Sequence, residues 1–291
     1  MKKQKRPLQR NGLWVLPSSA MLLCLTIIPL IMLVVFSFMN RNIFAGQAWP
    51  GWTIGNFTRL MKHAAFWKLL WKSLGMSALV TIICIIAAYP SAWAIAKIIK
   101  PKNRSVFMMI VILPFFTSQL LLIYAMMNLI QPGGLILTAL SALGIEMKSI
   151  LYTNAATILI LVYEFLPYMI LCLYSQLEAI NDNLINASLI LGATKMKTFT
   201  NIVFPMSVPG LLSGILLVFV PVAGAFAEPN IVGGANGMMV GSMINIQYKD
   251  NLNMGYGAIL ALVLLIVLSL IMAFVSWLTK RAQTKIGGEI E

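Results

Sequence analysis

The chain has 291 residues, 60% of them hydrophobic and only 10% charged, a balance too apolar for a soluble globular domain. Its net charge of +13 would suit nucleic acid, but the basic residues lie beside apolar runs, the pattern of a membrane protein with no nucleic-acid face. With His63 the single histidine and no Gly-Lys dipeptide, the sequence argues against a His-based metal centre, a Ser-His hydrolase and a phosphate-binding loop.

A helix needs about 20 apolar residues to cross the hydrocarbon core. Six runs qualify, at 13–39, 73–96, 106–130, 151–176, 207–232 and 254–279. The expected fold is an all-α polytopic membrane protein with six transmembrane helices. Its transmembrane domain covers 13–279, between a basic N-terminal tail, 1–12, and a C-terminal tail, 280–291. The first run follows Lys2, Lys3, Lys5, Arg6 and Arg10 but is too long for a secretory signal and has no small-residue cleavage site, so it reads as an uncleaved anchor. Fourteen of the 21 Lys and Arg fall on one side of the six runs. That side is cytoplasmic by the positive-inside rule, with both termini inside.

Between the first two runs, 56–74 places Phe57, Leu60, Ala64, Trp67, Trp71 and Leu74 at helical spacing among Arg59, Lys62, Lys68 and Lys72. An amphipathic helix at the outer interface is expected, either as a simple anchor or as a contact for an outer protein. Prolines punctuate the runs (Pro17, Pro29, Pro90, Pro114, Pro167, Pro221 and Pro229); each removes a backbone hydrogen bond, as suits kinked helices around a pathway or mere packing strain. Cys24, Cys84 and Cys172 fall in three different runs without motif spacing and read as apolar filler. Gly233-Gly234 and Gly237 read as a turn on the outer side.

Two acids sit within apolar runs, where a charge costs about 2.5–3.5 kcal/mol and normally faces a bundle interior or a water-filled cavity. Glu164 is flanked by Tyr163 and Tyr168, and Glu228 lies near the outer end of the fifth run, after Phe226. Either they line a pathway for a cationic solute, or Glu164 is protonated or bonds a tyrosine of a neighbouring helix and merely holds the bundle together, while Glu228 meets water. Asp250, in the last outer loop, is a further candidate for attracting cations.

The segment from Asn186 to Pro209 carries the most functional information. Asp182 or Asn183 can cap a short helix rich in Leu184, Ile185, Leu189, Ile190 and Leu191, with small Ala187 and Ser188. Gly192 can end it in the left-handed conformation, and Thr194 can cap a second helix running towards Pro205. A short apolar helix with a small-residue face on the water side suits docking to a soluble partner.

This segment resembles the cytoplasmic coupling loop of binding-protein-dependent ABC importer permeases, whose pattern reads E-A-A-x-x-x-G. Ala187, Gly192, Ala193, Phe199, Ile202, Pro205 and Pro209 fit the pattern, whereas Asn186 and Ser188 stand where the family has Glu and Ala. Gly224-Ala-Phe226-Ala-Glu228-Pro229 through Gly233-Gly234, Leu166-Pro167-Tyr168-Met169 and Ile246-Gln247-Tyr248 are similar to segments of the spermidine/putrescine-type permeases, as is Asn56-Phe57-Thr58-Arg59-Leu60 to an element after their first span. Permeases for ferric iron, opines and aminophosphonates share parts of these patterns. The resemblance implies a non-enzymatic transport subunit in the bacterial cytoplasmic membrane. It also implies a second homologous permease, two ATPase subunits that bind ATP and Mg, and an extracytoplasmic substrate-binding protein. It makes Asn186, Ala187, Ser188, Leu189, Gly192, Ala193, Phe199 and Pro205 the ATPase-coupling residues, and sets aside a stand-alone secondary transporter or a purely structural subunit.

Overall fold

The structure is a computed structural model that describes residues 12–40, 51–144 and 149–288, with side chains from 18 to 281. The expected N-terminal tail to residue 11, with its five basic residues, lies outside the described residues, as do 41–50, 145–148 and 289–291. Almost every described residue is helical, with a single antiparallel bridge, Met39 to Trp52, as the described extended pairing. Among the described residues, six helical stretches are long and apolar enough to cross a membrane: Ser18–Ser37, Ala64–Ile98, Gln119–Ala142, Asn154–Ala179, Lys195–Gly224 and Met254–Arg281.

In chain order the helices are α1 (Gly12–Ser37), α2 (Gly55–Lys62), α3 (Ala64–Trp93), α4 (Pro101–Ile112), α5 (Gln119–Ile130), α6 (Leu135–Ala142), α7 (Asn154–Ala179), α8 (Asp182–Ile190), α9 (Lys195–Thr198), α10 (Phe204–Gly224), α11 (Gly234–Gly237), α12 (Val240–Lys249) and α13 (Met254–Gly288). Three π-helical segments, Ala94–Ile98, Phe199–Val203 and Pro229–Gly233, interrupt or extend them. The expected C-terminal tail continues the helix of α13 to Gly288.

The chain divides into two compact units, Met1–His63 with Ile246–Val263, and Ala64–Asn245 with Leu264–Glu291. In the first, the buried Asn56 donates from Nδ2 to Ser37 O at 3.0 Å and Met39 O at 2.8 Å. It thereby satisfies carbonyls at the end of α1 that lack an intrahelical partner. Arg59 lies over the Tyr256 ring at 4.2 Å and His63 meets the same ring edge-on at 5.9 Å. The Asn56 to Leu60 element thus ties the end of α1 to the start of α13.

The core of the second unit is built from rows at four-residue spacing. Val80, Cys84, Ala88 and Ala92 of α3 are buried in one cluster with Leu161, Phe165, Met169, Leu173 and Leu177 of α7 and Val218 and Val222 of α10. Residues four apart form a ridge along one helix face, and ridges of small residues admit those of large ones. Gly210 and Gly214 extend the α10 row: a Cβ on Gly210 would lie 2.7 Å from Cys172 O, and one on Gly214 2.5 Å from Met169 Sδ. In lipid, where apolar side chains gain nothing by leaving the solvent, such close approach and its dispersion contacts hold helices together.

Three expectations are corrected. The outer amphipathic helix is not one element: α2 ends at Lys62, His63 breaks the helix, and Phe66, Trp67, Leu70, Trp71 and Leu74 belong to the first turns of α3, with Phe66 and Leu70 buried. The expected third span 106–130 is divided. Pro114 falls in a 3₁₀ turn, Leu113–Phe116, and Thr117 and Ser118 are extended before α5 begins; proline supplies no N–H and disfavours a helical residue before it. The fifth span stops at Gly224 rather than running to 232, because Ala225 is extended at ψ 138.

Candidate functional site

The loop after α7 folds as two capped helices. The cap of α8 is Asn181, whose Oδ1 accepts from Asn183 N at 2.9 Å, rather than Asp182 or Asn183. Asp182 instead occupies the first turn, where the helix dipole favours an acid. At the far end Gly192 adopts φ +84. Its N–H reaches Leu189 O at 3.0 Å, while Ala193 N–H reaches back to Ser188 O at 3.1 Å, the paired bonds of a Schellman termination. Thr194 Oγ1 then accepts from Lys197 N at 3.3 Å and caps α9. The helical path continues through the π turn Phe199–Val203, closed by Phe204 N–H on Phe199 O, into α10, which carries Pro205 in its first turn, where a missing N–H costs no helical bond.

One face of α8 packs inward and the other is bare. Ile185 packs against the core, and Ser188 Oγ pairs with Thr198 Oγ1 at 2.9 Å. Leu189 and Phe199 line an apolar groove of about 460 Å³ with Trp93, Ile98 and Val203. Phe199 also meets Tyr89 edge-on at 5.5 Å, and the Tyr89 hydroxyl bonds Ser207 at 2.8 Å. Asn186 and Ala187 are exposed, and Ile190 and Leu191 are 86% and 88% exposed. An apolar helix tip this bare, beside a small-residue face, has the character of an interface.

The second candidate site lies around Glu228. Ala225 and Phe226 break the helix after Gly224, and a short turn carries Glu228 into the π segment Pro229–Gly233. Gly241 approaches the carbonyls freed by that break so closely that a Cβ there would lie 2.5 Å from both Gly224 O and Ala225 O. Two α3 side chains hold the chain beyond it: Ser73 Oγ accepts from Val240 N at 2.8 Å, and Lys72 Nζ donates to Asn236 O and Met238 O. The broken helical stretch from 225 to 240 is thus fixed to α3.

Glu228 is 1% exposed, which corrects the reading that it meets water. Gln119 Nε2, in the first turn of α5, donates to Glu228 Oε1 at 2.7 Å. The Glu164 carboxyl faces the same two groups, Glu228 and Gln119, and its Oε2 is buried without a hydrogen-bonding partner. The partner of Glu164 is thus not a tyrosine. Tyr163 is 44% exposed, while Tyr168 packs on Phe115 at 4.4 Å between ring centroids. Phe226 and Glu228 line a cavity of about 190 Å³ with Gln119, Phe165 and Pro221. Two carboxyl groups this close repel when both are ionised, and a cation between them relieves that repulsion. Asp250 belongs to the other compact unit, where it is exposed and its N–H bonds Ile246 O at 3.0 Å beyond the end of α12.

Several of these partners escaped the sequence reading. Gln119 is a lone amide at the head of an apolar run, with nothing in its spacing to mark it. Lys97, which bonds Asp182, counted there only as one more inside charge. Gly210-x-x-x-Gly214 was also passed over, although its small-residue spacing is the signal that could have marked a close helix contact.

The family model for binding-protein-dependent transport system inner membrane components matches residues 77–284. The chain is 34% identical over 252 residues to the spermidine/putrescine transport system permease protein PotB of Haemophilus influenzae, covering 86% of this chain and 87% of the relative. Against PotB of Escherichia coli it is 34% identical over 260 residues, 89% and 93% of the two chains. The inner membrane ABC transporter permease protein YdcU of Escherichia coli is 30% identical over 251 residues, 82% of this chain and 80% of the relative. In fold, the chain matches a bacterial ABC transporter involved in the import of the acidic polysaccharide alginate, with TM-score 0.76 at 18% identity over 94% of this chain and 97% of that one. The MetNI methionine ABC transporter in inward facing conformations matches at TM-score 0.55 and 18% identity, over 77% and 98%.

Proposed function

The chain belongs to the family of binding-protein-dependent transport system inner membrane components and is a multi-pass permease subunit of an ABC importer in the inner membrane; we propose that the solute it passes is a polyamine of the spermidine and putrescine class. The observation that carries the substrate is the pair formed by Glu228, 1% exposed, and Glu164, whose buried Oε2 has no donor. An ammonium group supplies positive charge to the pair and a donor to the unpartnered Glu164 Oε2. Phe226, which lines the same cavity as Glu228, offers an aromatic face to methylenes and cations. Relatives named for spermidine and putrescine transport support the same reading.

The working complex pairs this chain with a second permease of the same family, two ATPase subunits carrying ATP and Mg, and an extracytoplasmic binding protein. Both termini lie inside, which puts α8, α9 and the basic 97–104 stretch in the cytoplasm, in keeping with the distribution of Lys and Arg. The exposed tip of α8, with Asn186, Ala187, Leu189 and Gly192, docks on an ATPase. Closure of the ATPase pair displaces α8, and the spans it is packed against exchange inward-open and outward-open states. A solute then binds whichever state presents the acid pair.

The test is ATP-driven uptake by proteoliposomes holding the full complex with its binding protein. Spermidine or putrescine should accumulate, and an excess of either should suppress uptake of the other. If neither accumulates while ferric iron, an opine or an aminophosphonate does, the polyamine assignment is overturned and the importer class stands.

A further inference from the structure

The end of α8 next to α7 is anchored by a buried cation, whereas its far half is held by the Ser188–Thr198 hydroxyl pair and the packing of Leu189 in the groove. α7 ends at Ala179 and α8 begins at Asp182, so the joint is Ile180–Asn181, both extended with ψ 123 and 125. Short joints of this kind are where chains absorb the dihedral changes of a hinge. Against the joint stands the π turn Ala94–Ile98, closed by Ile99 N–H on Ala94 O at 2.9 Å. Its Lys97 is 8% exposed in the side chain, and Nζ donates to Ile180 O at 2.6 Å and to Asp182 Oδ1 at 2.6 Å. One ammonium thus joins the last carbonyl after α7, the first residue of α8 and the end of α3. Each charge suits its place, the cation at a helix C-terminus and the acid at a helix N-terminus. The second ion pair at this end, Arg104 with Glu178 at 3.5 Å, ties α4 to α7 and does not involve α8. At the opposite end of α8, Ile190 and Leu191 stand bare.

We propose that Lys97 is a positioning residue that fixes the pivot of α8, so that a force on the exposed tip turns the helix about Ile180–Asn181 and is delivered to α3 and α7. Without the pin, the same force displaces α8 at its joint and is lost before it reaches the spans. The inference rests on the reading of α8 as the ATPase docking helix. It assigns Lys97 no contact with solute or nucleotide.

The experiment measures uptake per ATP hydrolysed in proteoliposomes of the complete complex, alongside cross-linking of Leu191→Cys to a cysteine on the ATPase surface. In Lys97→Met the cross-link should persist while uptake per ATP falls about five- to tenfold, the lower range of couplings between distant sites. Lys97→Arg, which keeps a cation on the same carbonyl and carboxylate, should recover most of it. Asp182→Asn leaves Lys97 on Ile180 O and should cost about two- to threefold, as suits an ion pair whose acid is exposed. Unchanged uptake per ATP in Lys97→Met overturns the proposal. If that variant does not assemble, unchanged uptake per ATP in Asp182→Asn overturns it instead. A missing Leu191→Cys cross-link with Lys97 and Asp182 intact overturns the docking reading and the pivot with it, so the two failures are told apart.

Discussion

Gln119 Nε2 and Glu228 Oε1 meet at 2.7 Å, joining the first turn of α5 to the broken segment after α10. The bond exists because both partners sit at helix interruptions. Pro114 and the extended Ser118 bring Gln119 to a helix start, and the extended Ala225 brings Glu228 inward. Irregular backbone at membrane depth is tolerated where it is buried in protein or lines a cavity. The 190 Å³ cavity bounded by these residues meets that condition.

Replacing either acid by its amide keeps its size and removes its charge. With Glu228 buried and Glu164 half-buried, Glu228→Gln should lose at least as much uptake as Glu164→Gln. The loss of a partly desolvated charge pair with a passing ammonium is worth about 2–5 kcal/mol, which exceeds a tenfold fall in rate. Both complexes should purify at normal yield. Uptake of spermidine at the unaltered rate in both would remove the acids from the pathway.

Gly192 tests the end of α8. Its φ of +84 strains any side chain, yet a Cβ there meets nothing within 4 Å, so the cost is confined to the backbone. Valine should cost about 1–2 kcal/mol in this conformation and re-aim the tip at Ile190 and Leu191. We expect Gly192→Val to lower substrate-stimulated ATP hydrolysis at unchanged membrane level, with Gly192→Asn close to normal because asparagine tolerates the left-handed region. Normal hydrolysis in the valine variant would separate this loop from coupling.

Orientation is open to a simpler measurement. A reporter active only outside should light up when fused at Gly144 or Asn251 and stay dark at Asn103. Light at Asn103 would place α8 outside and end the docking reading.

The sequence disclosed most of this architecture where length and polarity alone decide it. The number of apolar spans, the left-handed Gly192 and the Thr194 cap all follow from local chemistry and are found, although the third and fifth spans have other bounds than expected. What it could not disclose depends on where helices break and which faces then meet. Pro114 stood in plain view, but whether a membrane proline kinks a helix or ends it depends on the partners available to the freed carbonyls. The pairing of Glu164 with Glu228 required two such breaks and an amide, Gln119, from a third segment. For the same reason Asn56 was legible as part of a motif but not as the donor that closes the end of α1.

The glycines of α10 give the last expectation. A Cβ on Gly210 would lie 2.3 Å from Gln176 Cγ and 2.7 Å from Cys172 O, a backbone atom that cannot move without displacing α7. One on Gly214 would meet Met169 Sδ at 2.5 Å, near the end of a flexible side chain that can turn aside. Gly210→Ala should therefore destabilise the bundle by about 1–3 kcal/mol, the usual range for overpacking. Gly214→Ala should cost less than about 1 kcal/mol once Met169 changes rotamer. Thermal unfolding of the purified complex in detergent compares them directly, with a clearly lower midpoint expected for Gly210→Ala. Equal midpoints would mean that α7 and α10 yield at both glycines alike, and that the close backbone approach at Gly210 does not set their packing.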